Sequence, residues 1–364
     1  MRIAVLTLKL STNFGGVLQA YALQKLLSRM GHDVCLLQGP DPKALPSVKT
    51  LARRTLKKIL VDRRTIVFYE REMSGIRKNL ADFIASNMKT RRISSLADAW
   101  TEGYDAYIVG SDQVWRKPYF TDNWDSPMRD AFLSFVMNGK AKKIAYAPSF
   151  GQDNVREYST TDIAECREAL GQFDAVSVRE SSGIDICRKE FGREAVQVVD
   201  PTMLLEKADY VAIAEKASPS PGRVLSYILD TNPAKRKKVA HIAGILGLDT
   251  FSSNLPGGPS QSSSPSIESW LRGFMDAEYV VTDSFHACVF SIIFEKPFIV
   301  LGNERRGLAR IESLLKSFGI DNRLASSTDD INAILRQDIP WDSVRGILAK
   351  KRREGLEFLR ESLQ

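Results

Sequence analysis

Apolar and polar positions alternate along the chain in a repeated order: a short apolar run, a polar or glycine-rich break, a longer stretch with helical spacing, then another apolar run. Arg2 to Leu8 (RIAVLTL) reads as a buried strand, Val17 to Met30 as a helix ended by Gly31, and Asp33 to Leu37 as the second strand. The order continues through strands at Tyr104–Val109, Lys142–Ala147, Ala175–Val178 and Ala195–Val199, with a helix at Ile163–Leu170 and another ending at Phe191. It pauses near Pro201–Tyr210 and resumes with strand Arg223–Leu229 and helices Pro233–Leu246 and Ile267–Met275. Strands that are apolar throughout, with helices between them, predict parallel sheets covered on both faces. The chain is therefore expected to be α/β, with two doubly wound domains over residues 1–205 and 206–340 and a charged C-terminal helix within 341–364.

The most informative stretch is Glu278–Leu301. Tyr279–Val281 are β-formers, Thr282-Asp283-Ser284 offers an oxygen-bearing N-cap, and Phe285–Phe294 is apolar nearly all round, as a helix covered on several sides must be. Lys296-Pro297 stops that helix before strand Phe298–Leu301. His286, one of three histidines, falls in its first turn, just beyond a strand's carboxyl end, where open α/β sheets place ligands. A buried histidine bonded to a carbonyl is the plain alternative. The flanking Asp283 and Ser284, and the free N–H groups of a helix start, tip the reading toward an anion-facing site.

Other strand ends carry similar polar rims. The first connecting loop, LSTNFGG, lacks the G-x-G-x-x-G spacing of a dinucleotide cradle, yet Asn13, Gly15 and Gly16 would let a ligand approach the backbone, with Gln19 one turn further on. Gly110-Ser111-Asp112-Gln113, Pro148-Ser149-Phe150-Gly151, Arg179-Glu180 and Asp200-Pro201 follow later strands. Gly302–Arg310 gathers Arg305, Arg306 and Arg310 at a loop-to-helix junction, and the Gly/Ser/Pro-rich Ser252–Ser266 is a surface loop or a lid.

With 364 residues, 43% hydrophobic and 26% charged, the composition is that of an ordinary globular protein with room for two cores. The apolar start meets Ser11-Thr12-Asn13 without a small-residue cleavage site, and no apolar stretch approaches a membrane span, so a cytoplasmic protein is expected. The four cysteines form no C-x-x-C pair and read as reduced core residues; no His/Cys/carboxylate cluster suggests a metal. Thirteen Lys/Arg against four Asp/Glu lie between Lys49 and Arg92, more than the whole net charge of +7. That segment reads as amphipathic helices with a solvated basic face, or as a peripheral contact with an anionic membrane; no nucleic-acid motif accompanies it.

Six motifs in order, NFGGVLQAYAL (Asn13–Leu23), YDAYIVGSDQVW (Tyr104–Trp115), YAPSFG (Tyr146–Gly151), SVRE (Ser177–Glu180), VVDPTMLL (Val198–Leu205) and VVTDSFHACVFSIIFEKPF (Val280–Phe298), resemble the polysaccharide pyruvyl transferase family over nearly the whole chain. The resemblance implies a GT-B-like pair of Rossmann-like domains facing a cleft. It implies transfer of a pyruvyl group from phosphoenolpyruvate to two hydroxyls of a sugar in a polysaccharide such as an exopolysaccharide, or in its lipid-linked precursor. A cyclic ketal and phosphate would result, without cofactor or metal. The family's histidine falls on His286 and its donor-binding arginine on Arg179; Ala287 replaces a glycine common in relatives. Donor contacts are then expected from Arg179, Asp283, Ser284, Phe285, Arg305, Arg306 and Arg310, because guanidinium groups suit carboxylate and phosphate. Acceptor contacts are expected from Asn13, Gly15, Gly16, Gln19, Ser111, Gln113 and Ser149. The rival readings are a nucleotide-sugar glycosyltransferase and a non-catalytic carbohydrate-binding protein on the same fold.

Overall fold

The computed structural model describes residues 1–10, 13–39, 52, 55, 69–137, 139–253, 265–302, 308–325 and 331–364, with the backbone alone for 69–77. Its strands form two parallel sheets. The first contains β1 (Arg2–Leu6), β2 (Asp33–Gln38), β3 (Thr90–Arg92), β4 (Ala106–Val109), β5 (Lys142–Ala145), β6 (Ala175–Val178) and β7 (Val196–Gln197), in the order β3-β2-β1-β4-β5-β6-β7. The second contains β8 (Val224–Tyr227), β9 (Thr250–Ser252), β10 (Tyr279–Thr282), β11 (Phe298–Leu301) and β12 (Leu324–Ala325), in the order β12-β11-β10-β8-β9. Strand order reverses between β1 and β4 in one sheet and between β8 and β10 in the other. These are the positions where crossovers leave to opposite sides and a crevice opens.

Two helices bring the crevices together. Helix α1 (Phe14–Arg29) is buried along almost its whole length, because it is packed between its own sheet and the second half of the chain. It begins at Phe14, earlier than the sequence pattern suggests, so Gly15 and Gly16 lie in its first turn and not in the preceding loop. Phe14 stacks on Trp270 with ring centroids 5.7 Å apart and meets Tyr227 edge-on, so an aromatic side chain from one domain plugs the core of the other. Of the intervening helices, α2 (Tyr69–Asn87), α3 (Leu96–Thr101), α4 (Lys117–Trp124), α5 (Thr160–Gly171) and α6 (Ser181–Phe191) belong to the first half. α7 (Lys207–Ala214), α8 (Pro233–Leu246) and α9 (Ile267–Asp276) lead into α10 (Phe285–Ile293), whose residues are all buried. Then come α11 (Ala309–Ser317), α12 (Ile331–Leu335) and α13 (Trp341–Leu363).

The long α13 returns to the first half. Arg352 donates to the carbonyls of Met203 and Leu205, and Phe358 packs near Tyr146. Much of the basic Lys49–Arg92 segment and most of the Ser252–Ser266 loop lie outside the described residues. Among the described residues no helix is long and apolar enough to cross a membrane.

Candidate active site

The loops after β4, β5 and β6 are knitted by backbone bonds that carry the sheet's pairing beyond its strands. Ser149 N donates to Asp112 O at 2.9 Å and Arg179 N to Pro148 O at 3.2 Å. Asp112 sits in the left-handed region at φ 73, where aspartate is more tolerated than most residues, and it bridges to Pro148. That geometry places two charged side chains at one rim. Successive residues on an extended segment point to opposite sides. Arg179 accordingly turns to Asp200, with Nη1 at 2.9 Å from Oδ2, whereas Glu180 turns to Ser149 Oγ at 2.9 Å and to the Phe150 amide at 2.8 Å.

Asp200 follows β7 and is held in place before anything else arrives. Its Oδ1 accepts from Thr202 N at 3.0 Å and Thr202 Oγ1 at 2.7 Å, and its Oδ2 accepts from Ser111 Oγ at 3.0 Å and from Arg179. From the second domain, the first turn of α10 brings His286 Nε2 to 3.6 Å from the same Oδ2, an ion-pair distance too long for a hydrogen bond. Burial alone would raise the Asp200 carboxyl. The imidazole, the Arg179 guanidinium and the Thr202 hydroxyl outweigh it and hold the group well below the usual carboxylate range.

The cluster is left incomplete on one side. His286 Nε2 and the Nε and Nη2 of Arg179 are buried without a hydrogen-bond partner, and Asp112 Oδ1 is 3.8 Å from Nη2. Buried polar atoms seldom remain unpaired unless the site awaits a ligand or solvent. The Phe285 ring lies 4.2 Å from the Arg179 guanidinium carbon and 5.9 Å from that of Arg310, between two cations. Burial and the neighbouring Arg179 lower the Arg310 pKa to about 10, with Asp112 and Glu180 opposing. The close fit extends to the backbone: a Cβ on Gly15 would stand 2.1 Å from the His286 ring. Only glycine permits α1 to pass there.

The sequence-predicted residues do not all reach one place. His286, Arg179, Phe285, Arg310 and Ser111 converge on Asp200 or on its immediate neighbours. Ser284 is the N-cap of α10 but makes no side-chain cap bond, while its amide donates to Thr282 Oγ1. Asp283 is occupied elsewhere: it accepts from Leu229 N at 2.6 Å, Asp230 N at 3.2 Å and Lys235 Nζ at 2.6 Å. Arg305 and Arg306 lie outside the described residues. On the other rim, Asn13 Nδ2 donates to Asp112 at 3.2 Å, and Gln19 Nε2 donates to Thr7 Oγ1 and to Gly16 O. Gln113 accepts from Arg116, and Ser149 is bound to Glu180. Sequence reasoning passed over Asp200, Asp112 and Glu180 as site members. The Asp-Pro after a strand was the visible signal for Asp200, but the pattern read equally well as a strand terminator.

This arrangement can hold a compact anion between guanidinium groups and present an imidazole to it across a water-poor floor. Among the described residues there is no group of three His, Cys or carboxylate side chains set to hold a metal.

Comparison with known proteins places this geometry in context. No curated protein matches the sequence significantly. Among solved structures, the UDP-GlcNAc 2-epimerase from Neisseria meningitidis bound to UDP-GlcNAc is similar with a TM-score of 0.54 at 10% identity, over 99% of this chain and 100% of that one. The UDP-GlcNAc 2-epimerase from Methanocaldococcus jannaschii gives a TM-score of 0.52 at 12% identity, over 99% of each chain. At such identities the likeness is one of fold, a GT-B-like pair of Rossmann-like domains. A family model described as polysaccharide pyruvyl transferase matches residues 13–305.

Proposed function

The chain belongs to the polysaccharide pyruvyl transferase family, and from that premise we propose that it moves the pyruvyl group of phosphoenolpyruvate onto two hydroxyls of a sugar, closing a cyclic ketal and releasing phosphate. The observation that carries this reading is the set of buried, unpartnered atoms, His286 Nε2 with Arg179 Nε and Nη2, gathered where the two crevices meet. Phosphoenolpyruvate supplies a carboxylate and a phosphate for the guanidinium groups and a methylene carbon for the proton.

In this reading His286 gives a proton to the methylene carbon, which becomes a methyl group. The first sugar hydroxyl bonds to the adjacent carbon and its proton returns to the imidazole. The second hydroxyl then displaces phosphate, whose departure carries away the remaining proton. Asp200 is the positioning residue: its Oδ2 faces the imidazole at 3.6 Å, while Arg179 and Thr202 fix its own orientation. Asp112 and Asp200 face Arg179, so the donor's anionic groups are taken by the guanidinium nitrogens that these carboxylates leave unpaired. The acceptor lies on the first domain's rim, near Asn13, Gly15, Gly16 and Gln19, and is a sugar or a lipid-linked oligosaccharide. The donor side is completed by Ser284, Phe285 and Arg310.

Incubation with phosphoenolpyruvate and an acceptor series, alongside nucleotide sugars and the same acceptors, separates the reactions by product. Free phosphate dependent on acceptor supports this function. Release of nucleoside diphosphate without phosphate from phosphoenolpyruvate overturns it.

A further inference from the structure

A cavity of about 160 Å3 opens beside this cluster at the β1/β4 reversal of strand order, lined by Lys9, Asn13, Gly16, Gln19, Asp112 and Tyr119 among others. It has the size of a single polar ring, smaller than the ~300–1,000 Å3 of pockets for drug-sized molecules. Its wall is shared with the cluster. Gly16 follows the residue whose α-carbon abuts the His286 ring, and Asp112 turns one oxygen toward Arg179 and the other toward Asn13.

Two features of the lining call for a ligand. Gln19 is 1% exposed, and its amide has one orientation that satisfies its neighbours. The Nε2 group must donate to Gly16 O at 2.9 Å, and it also donates to Thr7 Oγ1, whose own hydrogen goes to Ser111 O. That leaves Oε1, a buried acceptor, with no hydrogen-bond partner. The second feature is Lys9, the one cation among the described lining residues, whose ammonium lies 5.6 Å from the centre of the Trp124 ring. Burial lowers its pKa, with Asp125 opposing, so the ammonium gains from a facing anion.

We propose that this cavity seats the acceptor's terminal sugar ring, with a hydroxyl donating to Gln19 Oε1 and a negatively charged oxygen group on or next to that ring paired with Lys9. The proposal rests on the pyruvyl-transfer reading and narrows it: the acceptor is an anionic sugar. The charge is either a ring carboxylate, as in a uronic acid, or a phosphate on the anomeric carbon, as in a precursor attached to a carrier. Lys9 recognises the shared anionic oxygens, and the crevice between the domains leaves the bridged hydroxyls facing His286.

The test measures binding to the full-length protein by saturation-transfer NMR and calorimetry, without phosphoenolpyruvate. The probes are methyl glycosides of hexoses, the matching methyl uronosides and hexose 1-phosphates. At least one anionic series should bind about tenfold more tightly than its neutral counterpart, the scale of one charge-assisted contact. Lys9→Met should erase that preference and Lys9→Arg should keep it, while Gln19→Leu should weaken neutral and anionic sugars alike. A carboxylate preference identifies a uronic acid, a phosphate preference a phosphorylated precursor. Equal binding of neutral and anionic sugars, a preference unchanged in Lys9→Met, or no binding across the panel overturns the proposal. Anionic sugar binding that depends on Lys9, in a protein that releases no phosphate from phosphoenolpyruvate, leaves the cavity assignment standing and removes pyruvyl transfer instead.

Discussion

Two buried acid–cation groups meet the start of α10, one through Asp283 just before it and one through His286 in its first turn, and they are finished to different degrees. Around Asp283, the Leu229 and Asp230 amides and the Lys235 ammonium occupy the carboxylate, tying the loop after β8 to the end of β10. Around Asp200, the carboxylate is equally well held, but the groups that surround it keep unpaired atoms: His286 Nε2 and two nitrogens of Arg179. A completed buried ion pair fixes local structure. An incomplete one keeps polar atoms desolvated at a cost, and a ligand can complete it. The comparison teaches that burial and charge alone do not separate a scaffold from a site. Unfilled hydrogen-bonding capacity does.

The contrast can be broken most forcefully at the completed group. Asp283→Ala leaves Lys235 and two loop amides without their acceptor, and removing one member of a buried pair typically costs ~3–5 kcal/mol. Urea unfolding should register that loss, while phosphate release per folded molecule stays near wild type. A stable Asp283→Ala protein with impaired turnover would assign Asp283 to the site.

Gly15→Ala sharpens the other half. The added methyl cannot share space with the His286 ring, so the imidazole must shift, and a displacement near 1 Å at the reacting group can reduce turnover by ~10²-fold. Phosphate-release kinetics should show the loss mainly in kcat, and an unaltered rate would mean that the ring position is not used.

A third probe uses pH. The Asp200 carboxyl has a lower pKa folded than unfolded, so its contribution to stability is complete above the unfolded value of ~3.9 and is lost as pH falls further toward the folded one. Asp200→Asn cannot show that loss. Its deficit against wild type, measured by denaturant titration, should be largest near neutrality and shrink below about pH 4. A deficit that grows on acidification would contradict the ion-pair account.

Much of this was legible in sequence where periodicity and strand ends carry the information. The β10–α10 stretch, His286 in the first turn of a buried helix and Arg179 at a strand end all fall where the pattern puts them. The start of α1 was misjudged because Phe14 buries itself against Trp270 in the other domain, a tertiary contact that extends the helix over two glycines. Arg179 and Glu180 are neighbours in sequence, yet extended backbone sends them to opposite sides, and Arg179 finds Asp200 and Asp112. Asp200 was marked only by an Asp-Pro that reads equally well as a strand terminator, because its role depends on meeting a histidine from the second domain.

The central claim is that the unpaired imidazole and guanidinium form a waiting donor site in which His286 supplies the proton. The most direct measurement takes one preparation of His286→Gln and records both phosphoenolpyruvate binding, by calorimetry, and acceptor-dependent phosphate release. This account predicts that donor binding largely survives while release falls by ~10²–10⁴-fold, the usual contribution of a general acid. Phosphate release near the wild-type rate in that variant would contradict it.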